Sequence, residues 1–313
     1  MAITVVGSVA FDTVETPSGR IDRCLAGAAT YFSLAASYFT DVRVIAVVGE
    51  DFTEKEEAVF ATHGIDTRGL ERAEGKSFFW QGSYLDNLNE AKTLQTDLNV
   101  FASFNPKIPD VYRDSEYLFL ANIDPVLQRR VREQMPDVKL VGGDTMNYWI
   151  NDHRSNLLET LKGVDVLLIN DTESKLLAGT RNPVKAAHDV LTMGPKSLVV
   201  KHGEYGATAF FSPRSFHSGV APHPFRAPAL PLAEVVDPTG AGDSFAGGFF
   251  GYIASQPDLT PEVFKRAMFY GGVMGSFTVE QFGTGRLQQL TRDEIEERFA
   301  IFRELTHLES QRS

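Results

Sequence analysis

A single cysteine, Cys24, in a chain of 313 residues excludes an internal disulfide and any cysteine-built zinc site. Positive charge is scarce as well. Lys and Arg number 30 against 41 Asp and Glu, and the net charge of -11 argues against a nucleic-acid partner, which needs a basic face. It does not argue against a small anionic ligand, because a local anion site can sit on an acidic protein. No run of about 18 apolar residues occurs, so no membrane span is expected. The start, Met1-Ala2-Ile3-Thr4-Val5-Val6-Gly7, has no basic n-region and reads as a first strand, which points to a cytoplasmic protein. Two nucleotide signatures are missing too. Gly7-Ser8-Val9 lacks the Gly-x-Gly-x-x-Gly of a dinucleotide-binding first turn, and there is no Gly-x-x-x-x-Gly-Lys-[Ser/Thr]. Composition is otherwise ordinary, with hydrophobic content at 43%.

What the chain does have is the run Val235-Val236-Asp237-Pro238-Thr239-Gly240-Ala241-Gly242-Asp243-Ser244. Val235 and Val236 read as the end of an apolar strand, and from Ser244 onward Phe245, Phe249 and Tyr252 recur at helical spacing. A glycine-rich turn feeding a helix aims backbone N–H groups and the positive end of the helix dipole at one spot, a ready anion site. Gly240 and Gly242 allow close backbone approach to that anion. Asp243 then stands beside it as an acceptor. If the anion is a transferring phosphoryl group, Asp243 is placed to take the proton of an attacking hydroxyl. The plain alternative is a helix N-cap after a tight turn.

The run Asp-Pro-Thr-Gly-Ala-Gly-Asp resembles the signature of the ribokinase-like (PfkB) carbohydrate kinases, which include sugar kinases and adenosine-kinase-like nucleoside kinases. The resemblance implies a single domain over 1-313: a three-layer α/β sandwich on a mostly parallel central sheet, with a small β-sheet lid from about 14-25 and 76-101. It implies that the backbone of Gly240, Ala241 and Gly242 forms an anion hole and that Asp243 is the catalytic base. ATP and Mg2+ are the implied cofactors, with room for K+ beside Asp237 and Thr239.

Taken in order, Asp12 follows the first strand, where open α/β sheets bind ligands. It can hold vicinal sugar hydroxyls, as the family's aspartate does here, or cap a turn. The family's usual Gly-Gly-x-x-x-Asn appears as Ala26-Gly27-Ala28-Ala29-Thr30-Tyr31. Gly27 matches a substrate-side glycine, and Tyr31 in place of asparagine is either a substrate contact or core. Strand-like alternation at 76 to 84 and 92 to 101 surrounds turn residues Asp86-Asn87-Leu88-Asn89 and suits a lid, an ordinary hairpin or a homodimer surface.

From Tyr117 the rhythm of strand and helix predicts a parallel sheet covered on both faces. Helices are expected at 125 to 134, 153 to 162, 243 to 255, 261 to 279 and 291 to 306. Asp12, Asp144, Asn170 and Asp243 each follow an expected strand and outline one edge. Asp144 and Asn147 are substrate-side candidates. Asn170-Asp171-Thr172-Glu173 reads as an acidic helix start; by the resemblance Asn170 and Glu173 organise magnesium and the phosphates, Glu173 through water. Lys201 is a phosphate partner or a solvated strand-end lysine. Gly203 and Gly206 match the family's nucleotide-side loop, and Thr239 lies on the same side. His202, His217 and His223 show no metal-ligand spacing. The function expected is an ATP-dependent kinase acting on a primary hydroxyl of a sugar. A nucleoside kinase is the alternative, and a silent sugar- or nucleoside-binding regulator is the reading from another class.

Overall fold

The computed structural model describes residues 1–85, 87–216 and 219–306. Strands are β1 (Ala2–Val6), β2 (Ala10–Thr16), β3 (Gly19–Ala26), β4 (Asp41–Val48), β5 (Asp66–Arg72), β6 (Phe78–Ser83), β7 (Lys92–Asp97), β8 (Tyr117–Leu120), β9 (Leu140–Gly143), β10 (Val166–Asn170), β11 (Ser197–Lys201), β12 (Ala207–Phe211) and β13 (Phe225–Ala227). Helices are α1 (Ala28–Ser37), α2 (Glu54–Thr62), α3 (Pro125–Gln134), α4 (Asn147–Asp152), α5 (Arg154–Leu161), α6 (Asp171–Ala178), α7 (Pro183–Leu191), α8 (Ala241–Ala254), α9 (Pro261–Thr278) and α10 (Arg292–Thr306).

A nine-stranded sheet runs β13-β12-β11-β10-β9-β8-β1-β4-β5. It is parallel from β11 to β5, and β12 and β13 add antiparallel at one edge. The central strands are apolar on both faces, as parallel strands covered by helices must be. Along β8, Tyr117 and Phe119 enter one core and Leu118 and Leu120 the other; β10 repeats this with Val166 and Leu168 against Leu167 and Ile169. The first core is closed by α1, α8 and α9 and the second by α3, α5 and α7. The expected three-layer α/β sandwich is present.

The small second sheet, β3-β2-β6-β7, is also present, with two corrections to its bounds. It begins at Ala10, so Asp12 lies inside β2 and not in a loop past β1. Asp12 pairs with Cys24 of β3 and Trp80 of β6, and the register shifts between Asp12 and Val14. It also ends at Asp97, and 99–103 forms a short 3-10 turn tied back by the Val100 N–H to the Lys76 carbonyl, 3.1 Å.

Three other expectations shift. The helix at 153 to 162 is present as α5, and the short helix α4, ending just before His153, precedes it unexpectedly. Val235 and Val236 are not a strand. Their stretch is satisfied group by group: the N–H of Val236 and of Asp237 both reach the Val279 carbonyl, at 2.8 and 3.3 Å, and Thr16 Oγ1 donates to the Val236 carbonyl, 2.7 Å. Prolines 228, 231 and 238 cannot donate to a ladder, which leaves such piecemeal bonding. Helix α8 starts at Ala241, two residues before the expected 243. The close packing expected around the 270–276 glycines is observed, since a Cβ on Gly271 would stand 2.9 Å from the Phe245 carbonyl oxygen.

Candidate active site

The first turn of α8 sets the geometry. Gly240 is its N-cap in the left-handed conformation (φ 75°) and offers no side-chain cap, and Asp243 is the third helical residue. Asp243 is therefore not the N-cap that the plain reading allowed. The Ala241 N–H returns to the Pro238 carbonyl at 3.2 Å, whereas the N–H groups of Gly242 and Asp243 have no backbone acceptor. Two free donors at a positive helix end are the groups that an anion can use. Tyr31 lies underneath: its ring carbons stand 2.4 Å from where a Gly240 Cβ would be. Its phenol oxygen is buried without a partner, and the residue is 1% exposed. The core reading of Tyr31 holds for its ring, which belongs to the main core cluster.

Strand ends supply the rest. Asn170 and Lys201 are register partners at the ends of β10 and β11, and Asp144 follows β9. Lys201 Nζ lies 2.8 Å from the position of a Cβ on Gly242, so the ammonium rests against the glycine turn. It faces three acids. Burial raises the Asp243 carboxyl to about 6 and Lys201 pulls it back. Burial, then the charge of Asp243, holds Asp144 well above the ordinary range, and burial raises Glu173 with Lys201 opposing. Asp144 Oδ1 is buried with no partner. From the small sheet, Asp12 joins the group: burial raises it first, then the charges of Asp237 and Asp243. Buried carboxylates pushed upward together beside one lysine are the arrangement that functional sites favour.

Asn170 and Glu173 form the capping box of α6, with Glu173 N–H to Asn170 Oδ1 at 2.7 Å and Asn170 N–H to Glu173 Oε2 at 2.8 Å. This is the helix-start reading in full, and it leaves Glu173 Oε1 for another partner. Asn170→Ala should cost about 1 kcal/mol of stability in urea denaturation, as lost caps do, because the Glu173 N–H loses its acceptor while the Glu173 carboxylate keeps the backbone N–H of residue 170. Asp237, 1% exposed, accepts from the Thr239 N–H (2.9 Å) and the Gly283 N–H (3.0 Å), which ties the turn before α8 to the 281–285 loop.

Gly27 caps α1 at φ 101°, where a Cβ would stand 2.4 Å from the Ser8 carbonyl oxygen. Gly203 (φ 55°) and Gly206 (φ 91°) shape the turn between β11 and β12. Asn147 opens α4 and is exposed, whereas Asp144 just before it is buried. His202 Nε2 meets Thr208 Oγ1 at 3.0 Å, His223 is exposed, and His217 and Asp86 fall outside the described residues.

The profile of the pfkB family carbohydrate kinases matches residues 3–290. The chain belongs to that family. Cytidine kinase of Thermococcus kodakarensis is 27% identical over 263 residues, 82% of this chain and 90% of that protein. The nucleoside kinase of Burkholderia thailandensis in complex with inosine superposes with a TM-score of 0.74 at 18% identity, covering 96% of this chain and 98% of that one. A putative ribokinase II from E. coli in complex with ATP and Mg2+ gives 0.75 at 19% identity, covering 97% and 99%. This pfkB kinase is thus an ATP-dependent kinase of carbohydrates or nucleosides. Among the described residues no helix is long and apolar enough to cross a membrane.

Two residues that the fold of this pfkB kinase brings to the candidate site carried no sequence signal. Tyr84, just past β6, is raised to about 12 by burial, with the charges of Asp237, Asp12 and Asp243 adding to it. Asn89 of the β6–β7 connection places Oδ1 2.2 Å from where a Gly203 Cβ would be, so the small sheet touches the β11–β12 turn. Neither carries a spacing signal, because both arrive through the tertiary placement of the small sheet.

Proposed function

We propose that this kinase transfers the γ-phosphoryl group of ATP to a primary hydroxyl of a sugar, with Asp243 as the general base. The observation that carries the reading is the carboxylate of Asp243 in the same helical turn as the unpartnered N–H groups of Gly242 and Asp243. The acceptor hydroxyl gives its proton to the Asp243 carboxylate as its oxygen bonds to phosphorus, and the bond from phosphorus to the bridging oxygen breaks to release ADP. The α8 N-terminus, with Gly240, Ala241 and Gly242, faces the charge on the moving group. Lys201, against Gly242, balances the phosphates. Asp12 holds acceptor hydroxyls while the small sheet covers them, and Gly203 and Gly206 line the nucleotide.

Magnesium suits the residues present. Glu173 keeps one oxygen outside its capping bond, Asp144 Oδ1 is buried and unpartnered, and an ion that retains most of its water needs few protein ligands. Glu173, through water, and Asp144 would hold it, and when bound it neutralises charge on the nucleotide oxygens. ATP and magnesium are both supplied in the cytoplasm, the setting this reading assigns.

A nucleoside acceptor is the second reading, favoured by the likeness to a cytidine kinase across most of the chain. The test is ADP formation with ATP and Mg2+ against pentoses, hexoses and ribonucleosides. Turnover with one acceptor class supports the kinase and names the class. Ligand binding with no ATP-dependent product would instead support a silent regulator.

A further inference from the structure

The turn before α8 belongs to no strand, and much of what holds it lies in one short segment at the end of α9. The Val279 carbonyl accepts the N–H groups of Val236 and Asp237, and the Gly283 N–H donates to Asp237 Oδ2 at 3.0 Å. Asp237 Oδ1 accepts in turn from the Thr239 N–H at 2.9 Å, one residue before Gly240. The position of the 279–283 segment is thereby passed to the residues that open α8.

That segment has no regular structure of its own, and ion pairs fix it instead. Glu280 and Arg286 stand at the two ends of the 281–285 loop and pair with each other, Arg286 Nε to Glu280 Oε2 at 3.0 Å. The other oxygen, Glu280 Oε1, meets Arg298 Nη2 of α10 at 2.7 Å. Arg286 Nη2 meets Glu294 Oε1, also of α10, at 2.7 Å. Both guanidiniums lie over the Phe277 ring of α9, Arg298 at 3.4 Å and Arg286 at 4.8 Å from its centroid. The side chain of Glu280 is 26% exposed and those of the two arginines 17%. Exposed ion pairs fix little. Partly buried charges with two partners each are weakly screened and hold one geometry. The mechanism above uses none of these residues.

We propose that Glu280, Arg286 and Arg298 are positioning residues for phosphoryl transfer. They close the base of the 281–285 loop, anchor it to α10, and so set where the turn before α8 holds the free N–H groups of Gly242 and Asp243. The inference rests on the kinase reading above and deepens it.

The test compares Glu280→Gln and Arg298→Met with Arg292→Met by kcat, acceptor KM, thermal melting and amide hydrogen exchange. Arg292 is the control, because its ion pair with Glu296 lies within α10. Glu280→Gln removes the carboxylate between two guanidiniums. Arg298→Met leaves Glu280 paired to Arg286, so this milder variant decides the matter where the first does not fold. Each should lower kcat by about 10- to 100-fold, as misplaced positioning groups do. The acceptor KM should stay within about threefold, since Asp12 stands in β2 and a lost transition-state contact falls on kcat. Amides of 236–243 should exchange about tenfold faster, together with those of 279–285. Arg292→Met should keep kcat within about twofold of wild type.

An unchanged kcat in a folded loop variant overturns the inference. So does an equal kcat loss in Arg292→Met at a matched fall in melting temperature, because general loosening then suffices. Faster exchange confined to 279–285 overturns it as well, since the network then holds only its own loop. Absence of any ATP-dependent product from wild type sinks the kinase reading and the catalytic half of the inference with it, while the exchange pattern still decides whether the network holds the turn.

Discussion

Asp243→Asn is expected to lower kcat by about 10²- to 10⁴-fold, the usual contribution of a positioned general base, with the KM for ATP little altered. The amide keeps the shape of the side chain and its place in the first turn of α8 but cannot take a proton. In the wild type the base must be deprotonated, and burial raises its carboxyl to about 6 against the pull of Lys201. On the acid side kcat/KM should therefore fall about tenfold per pH unit below roughly pH 6, and that limb should vanish in the variant. Stability moves the other way. The folded Asp243 carboxyl titrates at about 6 and its ordinary value is 3.8, so the folded chain keeps a proton that the unfolded chain sheds. The stability this group provides is complete below pH 4 and lost as pH rises through 6. At neutral pH the variant escapes that loss and should melt at a higher temperature than the wild type. A variant that is less active yet more stable separates chemistry from folding; one that retains wild-type kcat would remove Asp243 from the base role.

What the sequence made legible was local geometry. Motif residues that follow one another in the chain, Gly240 to Asp243 and Asn170 to Glu173, carry their geometry with them. A left-handed glycine, a helix start and a capping box are local events, and each is found where its residues stand. Strands with apolar side chains on both faces, such as Ser197–Lys201 and Ala207–Phe211, were equally plain, because a covered sheet demands continuous apolar runs. Where the reading failed, the cause was pairing at a distance. Asp12 looked like a loop residue because nothing local shows that β2 pairs with β6 some 68 residues on, as Asp12 does with Trp80. Val235 and Val236 looked like a strand because two valines have strand character wherever they stand; the hydrogen bonds of Val236 go to Val279 and Thr16 and that of Val235 to Ser18, which no local pattern encodes. Tyr84 was invisible for the same reason, reaching the acids only once the small sheet is folded over them. Lys201 was ambiguous between solvent and site until its ammonium was placed against Gly242.

Gly240→Ala tests the floor of the proposed anion site and should lower both stability and rate. Two costs add. At φ 75° an alanine occupies a conformation that L-residues avoid, worth about 1–2 kcal/mol. Its Cβ would also stand 2.4 Å from three carbons of the Tyr31 ring, so ring or turn must move; forcing a methyl into a packed site costs about 1–3 kcal/mol more. Tyr31 has little room to yield, being 1% exposed within the core under α8. The turn then shifts, and it carries the free N–H groups of Gly242 and Asp243. Misplacement of positioning groups by about 1 Å lowers rates by about 10²-fold, so a loss of that order in kcat should accompany the fall in urea midpoint. Combining Gly240→Ala with Tyr31→Ala separates the two causes in a double-mutant cycle. Removal of the ring relieves the steric part and leaves the backbone part, so the double variant should be more stable than the sum of the two single losses. Strict additivity would mean that the Tyr31 ring does not confine this turn, and the close approach of ring and glycine would then have no bearing on catalysis.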